Sequence, residues 1–313
     1  MKIAVNYSDL RGTIPERSAR NLLTQGTGIS QQFGALFYQV PAIAADSTLR
    51  FFDLRGSYDV IALDGSALGI VPAIPARGGL TIVSGGNMYV PNTDGNLAAY
   101  AGDGSALWSV PGVGTDFCAA SVAASGVIFS ENGDNQAAGV YPDGSVSWLQ
   151  PLDAGVPIHL SSLLIAPDGT LRAYDDQGNL WSLDPLSGAE NWHHSFASAG
   201  TINGFAIADD GSTYLGTQGG ILLVDLGGTQ RGSQPGNVGT PVTDVNGDVY
   251  AVCNDGYVCS FDHALSMQRW KVQTPSWLGD ENASRPVIGV GGMLYVVTAS
   301  NDSPAALQAF GPP

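Results

Sequence analysis

At 313 residues the chain is long enough for one large β domain or two ordinary ones, and 42 glycines, 18 prolines and only 13% charged residues point to many turns and few long exposed helices. A formal charge of −16, from 28 acids against 12 bases of which only Lys2 and Lys271 are lysines, disfavours a nucleic-acid backbone or an anionic membrane surface as partner. No apolar run approaches the roughly 18 residues of a membrane-spanning helix, and Ile3-Ala4-Val5 is too short for a signal-peptide core, so the expectation is a soluble chain without membrane insertion.

Residues 1–32 read as an N-terminal extension packing on the main domain: Lys2 to Tyr7 suits a strand, and Thr13 with Pro15 and Glu16 ahead of Ala19, Leu22 and Leu23 suits a short capped helix. From residue 33 to 313 a repeat takes over. Residues 34–40 resemble the closing strand of a unit, yet nothing before them supplies its first three strands. Units then follow at 47–69, 86–108, 126–148, 168–192, 210–231 and 246–270, and a last copy at 291–311 stops before its final strand. All but the first begin at a Gly or Asp-Gly turn, and the unit continues in an alternating apolar run such as Val249-Tyr250-Ala251-Val252, the period of a half-buried strand. A second turn such as Asn254-Asp255-Gly256 returns the chain into a strand (Tyr257 to Phe261), and a polar turn through Asp262 leads to a strand holding Trp270. The apolar run before the unit, Thr240 to Val245, makes a fourth strand.

A four-stranded repeat of this length is the signature of a β-propeller. The expectation is therefore an all-β, seven-bladed propeller of four-stranded antiparallel blades, its ring closed by residues 34–40 completing the C-terminal blade, so that no sheet edge is left open between first and last units. Trp108, Trp148, Trp192 and Trp270 share one register at the end of the unit, with Gly69 and the region of Arg231 in their place elsewhere. That recurrence marks packing between blades rather than a ligand-stacking ring.

The pattern Gly-x-x-Tyr-Val, Asp-Gly-x-Leu-x-Ala, Asp-x-x-x-Gly, then Trp resembles the repeat of pyrroloquinoline-quinone-like propellers, the family shared by quinoprotein dehydrogenases and the propeller lipoprotein of the outer-membrane barrel-assembly machinery. The resemblance covers nearly all of residues 34–313 and rests on turn and packing positions, so it implies fold far more than function. Many alcohol dehydrogenases of that family carry adjacent cysteines beside the quinone. This chain has none, and their calcium-ligating and catalytic-base residues find no counterparts here, so no quinone cofactor is expected.

Three cysteines make no disulfide framework and no zinc spacing. Cys118 reads as a small core residue. Cys253 and Cys259 flank one hairpin turn: a five-residue loop would set them opposite each other and permit a cross-strand disulfide in an exported protein, whereas a four-residue loop would pair Cys253 with Val258 and turn Cys259 to the other face. Asp244-Val245-Asn246-Gly247-Asp248 has the alternating oxygens with which calcium loops begin, but it lacks the Glu at the twelfth position and shares its turn with Asp209-Asp210-Gly211 and Asp168-Gly169, so a structural hairpin is expected and no metal.

In a propeller, the loops leaving each outer strand and those between second and third strands open on one face. That mouth should display Asp116, Asp153, His159, His193, His194, Trp277, Asp280, Glu281, Asn282 and Arg285, while His263 falls in a turn of the opposite face. The binding candidates are Trp277, Asp280, Glu281 and Asn282, in the longest loop (271–285), together with His193; an off-register tryptophan beside carboxylates suits a recognition surface, and equally a solvated loop pinned by one buried ring. His193 and His194, as sequence neighbours in a strand, should point to opposite sides and not share an ion. The favoured reading is a noncatalytic, monomeric binding or scaffold propeller for a protein, peptide or glycan, in an extracytoplasmic mature form rather than a cytoplasmic one. The alternative is an enzyme, a lyase, hydrolase or oxidoreductase, with His159, Asp116 and Arg285 as its catalytic candidates at the channel mouth.

Overall fold

The computed structural model describes residues 42–43, 48–52, 58–62, 67–71, 79–92, 94–115, 119–132, 136–152, 163–175, 177–253, 256–273, 286–288, 294–300 and 303–310. The chain divides into two compact units, one over residues 33–195 and the other containing the chain from Phe196 onward.

Four sheets build the first unit, each an antiparallel meander in chain order. They comprise β1 (Ala42–Ile43), β2 (Thr48–Phe52), β3 (Tyr58–Ala62) and β4 (Ala67–Val71); β5 (Thr81–Ile82), β6 (Met88–Pro91), β7 (Asn96–Tyr100) and β8 (Ala106–Pro111); β9 (Ser121–Val122), β10 (Ile128–Asn132), β11 (Gln136–Val140) and β12 (Val146–Pro151); and β13 (Leu164–Ile165), β14 (Leu171–Tyr174), β15 (Asn179–Leu183) and β16 (Glu190–Ser195). The second unit opens on a 3-10 turn, Ala197–Ala199, and repeats the plan. Its sheets are β17 (Ile202–Ile207), β18 (Thr213–Thr217), β19 (Gly220–Val224) and β20 (Gln230–Pro235); β21 (Val242–Thr243), β22 (Val249–Cys253), β23 (Tyr257–Phe261) and β24 (Gln268–Gln273); and a three-stranded sheet of β25 (Val287–Ile288), β26 (Leu294–Ser300) and β27 (Ser303–Phe310). The repeat read from the sequence is thus the repeat of the fold, down to the last copy, which stops one strand short. Residues 1–32 and the strand expected at 34–40 lie outside the described residues.

Within each unit the apolar residues meet between consecutive sheets. Tyr89, Leu97 and Ala99 of one sheet pack with Ile128, Ala138 and Val140 of the next; Phe129 and Trp148 pack with Leu171, Trp181 and Leu183; Tyr214, Ile221 and Leu223 pack with Val249, Ala251, Cys259 and Phe261; and Val252 and Val258 pack with Leu294 and Val296. The third strand Gly220–Val224 is buried along its whole length. First strands also touch: Gly79 bridges Ala119 in parallel, Thr81 Oγ1 donates to Ala120 O at 2.5 Å, and Ser121 Oγ donates to Leu163 O.

One transverse row explains the tryptophans. Partners across the second, third and fourth strands run Tyr89–Ala99–Trp108, Phe129–Gly139–Trp148, Arg172–Ser182–Trp192 and Tyr250–Ser260–Trp270. A small residue in the third strand lets the tryptophan lie over it toward the second strand; a Cβ on Gly139 would stand 2.5 Å from Trp148 Nε1. Trp108 and Tyr89 are 5.8 Å apart, Trp148 and Phe129 6.0 Å, and Trp270 and Tyr250 5.9 Å. Two of the rings also reach the next sheet: Trp108 Nε1 donates to Pro142 O at 2.8 Å, and Trp148 Nε1 to Pro185 O at 3.0 Å. The rows that lack tryptophan are Arg50–Val60–Gly69 and Tyr214–Leu223–Gly232. Their third-strand residue is a larger aliphatic one, so the missing ring is partly replaced from within the sheet. The place assigned above to the region of Arg231 belongs to Gly232.

Candidate functional site

The mouth end of each sheet is made by the hairpin between second and third strands and by the connection leaving the fourth. These pack on one another: Gly114 N donates to Gly95 O at 3.1 Å, Gly236 N to Gly219 O at 3.2 Å, and Asn132 Nδ2 to Gly112 O at 2.8 Å. The hairpins are closed by side chains at one repeated position. Asn92 Oδ1 accepts from the amides of Asp94 and Asn96, both at 3.0 Å, and Asn132 Oδ1 from Gln136 N at 3.0 Å. Asp175, fully buried, accepts from Gln177 N, Asn179 N, Asn179 Nδ2 and Trp181 Nε1 at 2.8–3.0 Å, and Thr217 Oγ1 accepts from Gly220 N at 3.0 Å. Polar side chains that look from the sequence like a ring of available groups are bound to their own turns.

In the sixth sheet the same position is Cys253, and a disulfide joins it to Cys259 across a Cα–Cα distance of 6.0 Å. The loop has neither of the lengths considered above. Cys253 pairs with Tyr257 and Ala251 with Cys259, so three residues make the turn and the two cysteines sit diagonally on one face.

Of the residues proposed for the mouth, His193 and His194 are described, and Asp116, Asp153, His159, Trp277, Asp280, Glu281, Asn282 and Arg285 lie outside the described residues. His193 pairs with Trp181 and lies stacked on its ring at 4.4 Å, while its Nδ1 is 2.8 Å from Glu190 Oε1. The result is an exposed imidazole held flat on a buried indole. His194 pairs with Leu180 and approaches Trp192 at 5.4 Å.

The opposite end holds a cluster that the repeat pattern conceals. His263 Nε2 is 3.2 Å from Asp210 Oδ2, its Nδ1 is 2.8 Å from Tyr214 Oη, and Tyr214 Oη donates to His263 O at 2.7 Å. This network stands where the Tyr214–Leu223–Gly232 row lacks its tryptophan; Leu265, 2% exposed, belongs to the core there, and Gln234 Nε2 donates to Leu265 O at 2.7 Å. Burial, aided by Asp210, Asp262 and Asp248, pushes the Tyr214 hydroxyl far above its ordinary range, so it is a donor and not a nucleophile. Burial with Asp244 beside it pushes Tyr250 up to about 12. The oxygens of the calcium-like stretch are engaged: Asp244 Oδ1 accepts from Asn246 N and Asp248 N at 2.9 Å, Asp244 Oδ2 accepts from Tyr250 Oη at 3.2 Å, and Asp248 pairs with Arg269 at 2.8 Å. It is a hairpin turn of the same kind as those at Asp168 and Asp210. A cleft of about 570 Å³ between the second and third sheets is lined by Thr81, Val83, Tyr89, Val122, Ala123 and Pro142 among others, and Tyr89 is the single ionisable side chain in its wall.

Comparison with known proteins gives the same architecture. The family model described as outer membrane protein assembly factor BamB matches residues 56–310. Among solved structures, BamB from Moraxella catarrhalis superposes with a TM-score of 0.67 at 18% identity, covering 88% of this chain and 83% of that one. Sqt1 from Saccharomyces cerevisiae gives 0.69 at 17% identity over 87% and 83%. A virginiamycin B lyase from Staphylococcus aureus gives 0.67 at 11% identity over 83% and 91%. No curated protein matches the chain. At these identities the structural likenesses speak for the fold alone.

Proposed function

The chain belongs to the family of outer membrane protein assembly factor BamB, whose model spans residues 56–310, and from that premise we propose that it is a noncatalytic scaffold propeller that binds a protein or peptide partner at its mouth. Membership in a family named for protein assembly is the observation that carries the reading. Two features agree with it. The polar side chains that close the mouth-end hairpins, Asn92, Asn132, Asp175 and Thr217, accept from their own turn amides, which suits a rigid rim better than a reacting centre. The His193–Trp181 stack offers the fixed, half-apolar platform on which protein recognition relies.

Recognition is assigned to the loop read at 271–285, whose first three residues belong to β24 (Gln268–Gln273), with Trp277 as anchor and Asp280, Glu281 and Asn282 beside it, and to His193 on the rim. The compartment proposed is extracytoplasmic, which the disulfide Cys253–Cys259 favours because such bonds persist in oxidising surroundings. The seven described sheets are taken as the blades of one ring, with residues 34–40 as the outer strand of the last.

A photo-crosslinking residue in place of Trp277, with a control at Leu186, which is 84% exposed in a turn of the opposite end, tests the reading. The expected result is a discrete protein adduct from position 277 and none from 186, with Trp277→Ala weakening partner retention about tenfold or more. Equal labelling from both positions, or a turnover abolished by His159→Ala in a folded protein, overturns it.

A further inference from the structure

Four hairpins at the mouth end are closed by an acceptor side chain at the end of the second strand, namely Asn92, Asn132, Asp175 and Thr217. Cys253 occupies that position in the sixth sheet, and sulfur is too weak an acceptor to hold the turn amides. A covalent bond to Cys259 on the adjoining strand is present instead.

The hairpin so closed is also a clamp. Gly239 N donates to Val252 O at 2.8 Å, Val238 bridges Cys253 in antiparallel fashion, and Val238 N donates to Thr217 O at 2.9 Å in the neighbouring sheet. The connection 236–240 is therefore held between two hairpins. On the other side Tyr257 pairs with Gln273, the last residue before 274–285, and Lys271 Nζ lies 4.1 Å from the Tyr257 ring centroid.

We propose that Cys253–Cys259 is a redox-operated latch: intact, it fixes the pairing of β22 with β23 and through it both the 236–240 connection and the end of β24 at Gln273; reduced, it releases them. A dithiol reductant opens it in two exchanges. The reductant's thiolate attacks Sγ of Cys253, which is partly exposed while Cys259 is 1% exposed. The disulfide breaks, a mixed disulfide forms on Cys253, and Cys259 leaves as a thiolate that takes a proton from water. The second thiolate of the reductant then attacks the mixed disulfide at the reductant's own sulfur, so Cys253 departs and is protonated, and the reductant ends oxidised, two electrons having passed to the cysteine pair. Nothing in a side-chain cap of the Asn92 kind could respond in this way.

Hydrogen exchange of the intact chain, before and after dithiothreitol, reads the latch without any partner present and so judges it separately from the binding reading. Reduction is expected to speed exchange in peptides covering 236–240 and 253–273 about tenfold or more, the size of effect that loss of a cap produces, and to leave 88–100 and 171–183 unchanged. Cys253→Ala should exchange fast in both conditions. Cys253→Asn, which restores the acceptor used at Asn92 and Asn132, should be slow in both. Alkylation after unfolding should trap one thiol in untreated protein and three in reduced protein. Three thiols in untreated protein made in an oxidising compartment, or exchange unaltered by reduction in the wild-type chain, overturn the proposal whether or not the variants fold.

Discussion

Arg172 sits in a row of rings. Its counterparts in the other sheets are Tyr89, Phe129, Tyr214 and Tyr250; like the first three it is buried, at 1% exposure, while Tyr250 is partly buried. Its guanidinium carbon lies 4.9 Å from the centroid of Trp192, Nη1 donates to Ser182 Oγ at 2.6 Å and to Thr170 Oγ1, and Nη2 is 3.8 Å from Asp168. Burial depresses its pKa and the Asp168 carboxylate works against that, so the charge is retained at a desolvation cost. If volume over Trp192 matters more than charge, Arg172→Met should cost about 1 kcal/mol or less and Arg172→Ala about 3 kcal/mol in a urea titration. Equal losses in the two variants would assign the stabilisation to the guanidinium. The sequence does not announce this residue: in Thr170-Leu171-Arg172-Ala173-Tyr174 an arginine reads as the outward member of an alternating strand. Its partners come from the turn before its own strand and from two further strands, and no spacing along the chain connects Ser182 and Trp192 to it. The same holds for His263, legible as a turn residue of the face opposite the mouth but not as the partner of Tyr214 and Asp210.

At the scale of the element, the turn between third and fourth strands is the most regular part. Asp103, Asp143, Asp184, Asp225 and Asp262 each accept from the backbone of their own turn, and four of them also from a serine hydroxyl at 2.6–2.7 Å. Those hydrogen bonds hold the five carboxyls below the usual aspartate value; the Ser145 hydroxyl contributes most at Asp143 and the Thr229 amide most at Asp225. A carboxylate depressed in the folded state stabilises above its unfolded pKa of about 3.9, and that contribution disappears as pH falls through the lower native value. Stability should therefore be level near neutrality and drop below about pH 4, and replacing all five by Asn, which keeps an acceptor oxygen but not the charge, should flatten that acid limb by lowering the neutral midpoint toward the acid one. Denaturation midpoints across the range check it; an unaltered acid limb would place the sensitivity elsewhere. These turns are legible because Asp-Gly chemistry is local. The bulge in every third–fourth strand pairing, between Val60 and Ile61, Ala99 and Tyr100, Gly139 and Val140, Ser182 and Leu183, Leu223 and Val224, and Ser260 and Phe261, is not. It leaves one unpaired residue on the fourth strand, such as Leu68 or Leu107, 59% and 49% exposed, where strict alternation would look for an inward partner.

At the scale of the whole molecule, open sheet edges are what the chain must protect. Fourth strands are exposed, and β8, β12 and β20 each end in a proline, Pro111, Pro151 and Pro235, which cannot donate to an added strand. The last sheet is different among the described residues: it has three strands, and β27 is its outermost, eight residues long. Left uncovered, such an edge would template association with a second chain. A net charge of −16 opposes that only within the Debye length, roughly 8 Å at physiological salt, and being spread over the whole chain it does not shield this one edge. In the closed ring proposed above, residues 34–40, which have the composition of a fourth strand, would supply that cover without a partner. Deleting residues 1–40 should therefore lower the melting temperature and turn a monomer into self-associating species in light scattering, whereas deleting 1–32 should leave the chain monomeric. Adding a peptide of residues 33–41 to the shorter chain should reverse the association, because strand addition restores the missing pairing. A 41–313 chain that stays monomeric with an unshifted melting temperature would break the closed-ring proposal and leave the edge of β27 to be covered by another segment.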